Sequence, residues 1–253
     1  VFSDRLQIVR VGSTRDLVSG RLLEPAPGPK TARVFGGIDY DRAGTAAIAP
    51  NTTRPEASAF QSRLNGVSAN GFRNGTAGQT WVYLPATLDE ANEVAYYLES
   101  RQFEVVRLSD SAATEESFKL GRSPYVIHLA THGFFYPEPH DNASMGFVDA
   151  RNPLIRSGMV LAGANRVWSG KEILPGQEDG ILTADEIARM DLSHTELVVL
   201  SACGTGLGEL SSDEGVYGLQ RAFRVAGAHY VLMTLWSVDD HFTQLFMREF
   251  YRK

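Results

Sequence analysis

Two residue types able to do chemistry together stand in matching places along this chain. His132 lies in "VIHLATHGFF" (126–135) and Cys203, the chain's one cysteine, in "LVVLSACGTGLG" (197–208). Each closes an apolar run and is followed at once by a glycine. A free thiol is only slightly ionised near neutral pH, and an adjacent imidazole can take its proton and later protonate a leaving amine. Acyl transfer also needs main-chain N–H groups aimed at the developing oxyanion, and small residues let a carbonyl come close to them. The amides of Gly133 and Cys203 are the candidates for that hole.

Residues so far apart in sequence meet only if the fold brings them together. "FEVVRL" (103–108), "YVIHLA" (125–130), "ELVVLSA" (196–202) and "YVLMTLW" (230–236) read as strands, the last three as strands buried on both faces. Residues 5–9 and "ARVFGGI" (32–38) read as earlier strands. Helices alternate with them. Thr87 and Glu90 have the spacing of a capping box ahead of an apolar stripe at Ala91, Val94, Ala95 and Leu98. Thr114–Leu120 reads as a short helix, and Thr183 and Glu186 form a second capping-box pattern. Asp213 opens a helix with Val216, Leu219, Phe223 and Ala226 on one face, stopped by Gly227. Asp239 opens a last helix whose apolar set is Phe242, Leu245, Phe246 and Phe250.

This alternation predicts an α/β fold with a mostly parallel sheet and helices on both faces. Residues 157–163 add an inserted strand or hairpin arm. The expected organisation is an N-terminal part over 1–80, with a long polar loop at 49–80, and a core over 81–253. Parallel sheets place ligands beyond the carboxyl ends of their strands. His132, Cys203 and the pair Asp239/Asp240 all fall there.

Composition narrows the field. With 253 residues, 43% hydrophobic and 21% charged, the chain can bury a sizeable core. A net charge of −6 argues against the basic surface expected of a nucleic-acid binder. No apolar run is long enough to span a bilayer. A lone cysteine rules out an intrachain disulfide and suits a reducing compartment, so a cytoplasmic location is expected. The chain begins at Val1 and not at a methionine, so a piece of a longer protein, or a processed or trimmed chain, is expected.

Blander readings stand beside the sharp one. A single cysteine at a strand end is often an apolar filler, and a histidine there can be a satisfied core residue. His128 shares a strand direction with His132 and fits the core best. His128, His132 and His140 together could bind a metal, but "HLATH" lacks the glutamate of the zinc-protease pattern, so neither metal nor cofactor is expected. No P-loop or G-x-S-x-G elbow supports nucleotide hydrolysis or serine hydrolase chemistry. The glycine-, serine- and aspartate-rich segment 207–215 has few apolar anchors and is expected to need ordering by a partner.

"VIHLATHGFF", "DGILTADEIARMDLSHTELVVLSACGTGLGE", "DEGVYGLQRAFRVAGAHYVLMTLWSVDD" and the closing "FYRK" together resemble the CHAT domain, a caspase- and separase-like group of cysteine peptidases. "LPATLDEANEVAYYL" fits the same family, so the likeness runs from about residue 80 to the end and more loosely from about 32. The resemblance implies a caspase-like fold, His132 and Cys203 as catalytic dyad, a protein substrate and helical repeats of the tetratricopeptide (TPR) kind elsewhere in the parent protein. "SACGTG" departs from the caspase signature, so aspartate specificity is not carried over. In separase-like relatives an acidic residue in the segment matching "LWSVDD" receives a basic substrate side chain, and Asp240 is the nearest match with Asp239 its neighbour. Two further classes remain: a caspase-like signalling or binding module with little activity, and a metal-dependent hydrolase.

Overall fold

A computed structural model describes residues 28–44, 80–135, 154–155, 157–201, 213–233 and 240–253. Five strands form its main sheet: β1 (Thr31–Ile38), β2 (Glu104–Asp110), β3 (Val126–Ala130), β7 (Leu197–Ser201) and β8 (Tyr230–Met233). Their spatial order is β2-β1-β3-β7-β8, and every pair is parallel. β1 comes from before residue 80 and lies between β2 and β3, so the sheet draws on both parts of the chain. A second, antiparallel sheet joins β4 (Gly133–Phe135), β5 (Ser157–Val160) and β6 (Ile181–Thr183), realising the expected insertion at 157–163.

Alternation along the central strands loads both faces, as expected of a parallel sheet. Val34, Val126 and Val199 pack on one face against α1 (Pro85–Ser100) and α6 (Asp240–Arg252), through Ala91, Val94, Leu98, Met247 and Tyr251. Phe35, Ile127, Leu129, Val198 and Leu200 face the opposite core. Phe118 of α2 (Glu115–Lys119), Ile187 of α4 (Ala184–Ala188) and Phe223 of α5 (Asp213–Ala226) close that side. A short α3 (Ala164–Trp168) follows β5. Thr114 caps α2, and Thr183 and Glu186 make the reciprocal capping box at α4. Gly227, at φ 113°, ends α5 in a conformation that glycine adopts freely.

Three expectations need correction. The capping box at Thr87 and Glu90 does not form, because α1 starts earlier, at Pro85 with Leu84 as N-cap. The Thr87 hydroxyl instead donates to the Leu84 carbonyl (2.6 Å) and accepts the Gly37 N–H (3.0 Å). A Cβ at Gly36 would stand 2.2 Å from the Thr87 carbonyl oxygen, so the glycine pair in β1 is what lets the helix settle there. Second, β8 is half-exposed rather than buried, since it is the outermost strand among the described residues. Third, α6 turns Thr243, Met247 and Tyr251 inward and leaves Phe242, Phe246 and Phe250 exposed. A hydrogen bond that Tyr251 makes beneath the helix helps fix this rotation. The strand expected at 5–9 and residues 49–79 of the polar loop lie outside the described residues.

Candidate active site

His132 stands two residues past the end of β3 and is 4% exposed. Its ring lies between Tyr40 and Trp81, with both centroids 5.1 Å away, and Trp168 packs on Trp81 at 5.0 Å. Nε2 of His132 lies 2.8 Å from the carbonyl oxygen of Val82. A carbonyl only accepts, so Nε2 carries the hydrogen and the neutral ring holds its lone pair on Nδ1. Nδ1 is buried and has no hydrogen-bond partner among the described residues. Burial in this aromatic slot lowers the imidazole pKa, and the Val82 bond offsets part of that effect. The result is a neutral base with one nitrogen committed and the other open.

The slot is built by the ends of several elements. Tyr40 follows β1, and its hydroxyl bonds the Thr131 Oγ1 (2.9 Å), which itself donates to the Val160 carbonyl. Trp81 and Val82 precede α1. Val82 turns its side chain outward, 70% exposed, while its carbonyl reaches His132. No residue type advertises a main-chain carbonyl, so the sequence carried no signal for Val82. The buried Trp81 ahead of a proline-started helix was the nearest clue.

Gly133 opens β4 directly after the histidine. The Val160 N–H donates to the His132 carbonyl (2.9 Å), and Gly133 lies opposite Met159. Hydrogen-bonded and non-bonded pairs alternate in an antiparallel ladder, so the Gly133 N–H points away from β5.

The other candidates separate. His128, expected to share an orientation with His132, faces the α1 and α6 side instead. Its Nε2 lies 2.9 Å from Glu90 Oε1 and its Nδ1 3.3 Å from the Tyr251 hydroxyl. All three residues are buried, so His128 is a satisfied core histidine. With both nitrogens engaged it offers nothing to a metal, and His140 lies outside the described residues. Cys203 and Asp239 also lie outside them; the neighbouring strand β7 ends at Ser201 and α6 begins at Asp240.

A polar cluster between α2 and the segment leading into β6 was not anticipated. Glu115, Glu178 and Glu186 come close enough to hold a metal ion, but the chain supplies its own cation. Lys119 Nζ contacts Glu115, lies 2.8 Å from Glu186 and 3.2 Å from Glu178. Burial raises the Glu115 pKa well above its usual value and pushes Asp179 up to about 7. Burial alone would raise Glu186 too, but Lys119 brings it below the ordinary carboxylate value.

Comparison with known proteins agrees with this architecture. The profile of the CHAT domain matches residues 12–253. Tetratricopeptide repeat protein 28 of Mus musculus is 38% identical over 77 residues, which are 30% of this chain and 3% of that protein. The chain thus spans only a small fraction of that relative's length. No described helix is long and apolar enough to cross a membrane. A caspase-like α/β sheet and a family match over nearly the whole chain lead to one identification: the chain belongs to the CHAT domain family, related to the caspase-like cysteine peptidases.

Proposed function

We propose that the protein is a regulated cysteine endopeptidase acting on a specific protein partner through His132 and Cys203. The observation that carries this reading is the state of His132: buried, neutral, tied through Nε2 and open at Nδ1. The strand register supports it. Ala130 pairs with Ser201 in neighbouring parallel strands, and His132 and Cys203 each follow by two residues.

In the proposed reaction the Cys203 thiol gives its proton to His132 Nδ1, and the thiolate adds to the scissile carbonyl. The N–H groups of Gly133 and Cys203 receive the oxyanion. As the C–N bond breaks, the imidazolium returns the proton to the leaving amine, leaving a thioester. Water, deprotonated by His132, then hydrolyses the thioester and restores the thiol. No metal or cofactor enters.

Asp240 is proposed to receive a basic side chain on the acyl side of the scissile bond, with Asp239 capping α6. The helix boundary at Asp240 supports that division, since aspartate is favoured at the position just before a first turn. A cytoplasmic location and a TPR-like segment in the parent protein complete the proposal; the name of the mouse relative supports the second.

The test is a peptide library presented to wild type, to Cys203→Ala and to Asp240→Ala. Cleavage that needs Cys203, survives EDTA and is stopped by iodoacetamide is expected. Cleavage by Cys203→Ala, or loss with EDTA, overturns the reading. A basic preference that Asp240→Ala erases is expected, and an unchanged profile removes the pocket assignment while leaving the dyad.

A further inference from the structure

Asn165 is 4% exposed, lies in the first turn of the short helix α3, and belongs to neither the dyad nor the proposed oxyanion hole. Its side-chain oxygen accepts the Trp81 N–H (2.7 Å), and its amide nitrogen donates to the Trp81 carbonyl (3.0 Å). One side chain thus grips both main-chain groups of a single residue, as a neighbouring strand would. The second hydrogen of the amide goes to Asp41 Oδ1 (2.9 Å), which fixes which way the amide faces. The Asn165 main-chain N–H, in turn, donates to the carbonyl of Tyr40 (2.9 Å). Asn165 therefore holds both aromatic residues that flank the His132 ring.

The consequence falls on Val82. Its carbonyl, which holds His132 Nε2, belongs to the residue directly after Trp81, and Val82 has no buried side chain to anchor it. Residues 81–84 belong to no helix and no sheet. Without the Asn165 clamp, this segment loses the two hydrogen bonds that fix Trp81 and, through it, the direction of the Val82 carbonyl. We infer that Asn165 is a positioning residue that fixes the His132 tautomer by clamping Trp81 and aiming the Val82 carbonyl at Nε2. The inference deepens the peptidase reading, since it takes His132 as the base.

The test reads His132 directly and does not need turnover. Nitrogen-15 histidine NMR at alkaline pH is applied to wild type, Asn165→Ala and Asn165→Asp. The aspartate is isosteric and keeps the acceptor for the Trp81 N–H, so it preserves the fold, but it sets a carboxylate oxygen against the Trp81 and Asp41 oxygens. Wild type should show His132 purely as the Nε2–H tautomer, and both variants should show it mixed with the Nδ1–H form. A folded Asn165→Asp protein with His132 still wholly Nε2–H overturns the inference. Kinetics give a second reading: kcat should drop by about tenfold to a hundredfold, the scale of a roughly 1 Å misplacement, with KM nearly unchanged. Equal kcat in the folded variants also overturns it. A wild type that cleaves no library peptide even when joined to the neighbouring segments of its parent protein, while passing the tautomer test, refutes the peptidase reading and leaves the positioning role standing.

Discussion

His128 and His132 are four residues apart, one inside β3 and the other just past its end, and the fold uses them in opposite ways. His128 has both ring nitrogens engaged, by Glu90 and Tyr251, in a fully buried layer between the sheet and two helices. His132 has one nitrogen engaged and the other, buried, without a partner among the described residues, in a slot at the carboxyl edge of the sheet. Burial is nearly the same for the two. What separates the two imidazoles is the number of hydrogen bonds committed among the described residues, and that number changes where the strand stops and the chain turns from one face of the sheet to the other.

The sharpest way to break this comparison is to remove each histidine in turn. His132→Ala and Cys203→Ala should each reduce kcat/KM by about a thousandfold or more, and the double variant little further, because in the proposed reaction the two act as a unit. His128→Ala should leave kcat/KM per folded molecule within about threefold, since His128 touches no reacting group, while stability falls by about 3–5 kcal/mol. That cost is typical of a large buried side chain truncated to a cavity with its two hydrogen-bond partners, Glu90 and Tyr251, left unpaired. Denaturant melts beside peptide cleavage separate the two outcomes. A catalytic collapse in well-folded His128→Ala, or a large stability loss without catalytic loss in His132→Ala, would erase the distinction.

The pH profile sharpens the same contrast. Burial lowers the His132 pKa below the ordinary imidazole value of 6.5, so the base stays neutral into mildly acidic solution. The acid limb of kcat/KM should therefore fall below that value. Phe substitution at Trp81 keeps an aromatic wall but opens part of the slot to water, which should move the limb upward. A limb above the ordinary value in wild type would refute the buried-base description.

Much of this was legible in the sequence because it is written in apolar periodicity and in glycine. The strands carrying His128 and preceding Cys203 announce themselves as buried runs, and Thr183 with Glu186 is a local pattern satisfied within one turn. Other features depend on tertiary partners. Thr87 has the spacing of a cap, yet Pro85 starts the helix a turn earlier and Gly37 claims the hydroxyl. The phenylalanines of α6 look like its inner face, but the hydrogen bond from Tyr251 to His128 goes with the opposite rotation. Val82 and Asn165 left least trace, since one acts through its carbonyl and the other through a residue more than eighty positions away.

The smallest expected effect concerns the other buried proton site, where protonation serves stability and not chemistry. Four carboxylates, Glu115, Asp179, Glu178 and Glu186, gather around the single ammonium of Lys119. Burial holds the Asp179 pKa at about 7, against 3.8 for an ordinary aspartate. A carboxyl whose pKa is raised on folding binds its proton more tightly in the folded state. Its contribution is fully present below the unfolded value and is lost as pH rises through about 7. Asparagine cannot ionise, and it keeps an oxygen to accept the Ile181 N–H that Asp179 now holds at 2.8 Å. Asp179→Asn should therefore melt several degrees above wild type at alkaline pH. That advantage should shrink steadily as pH falls from about 7 toward 4. A difference that does not vary with pH, or an asparagine variant less stable at alkaline pH, would mean that Lys119 already neutralises Asp179 in full. The cluster's proton would then sit on Glu115, whose pKa burial also raises, and the pH dependence of stability would follow that residue instead.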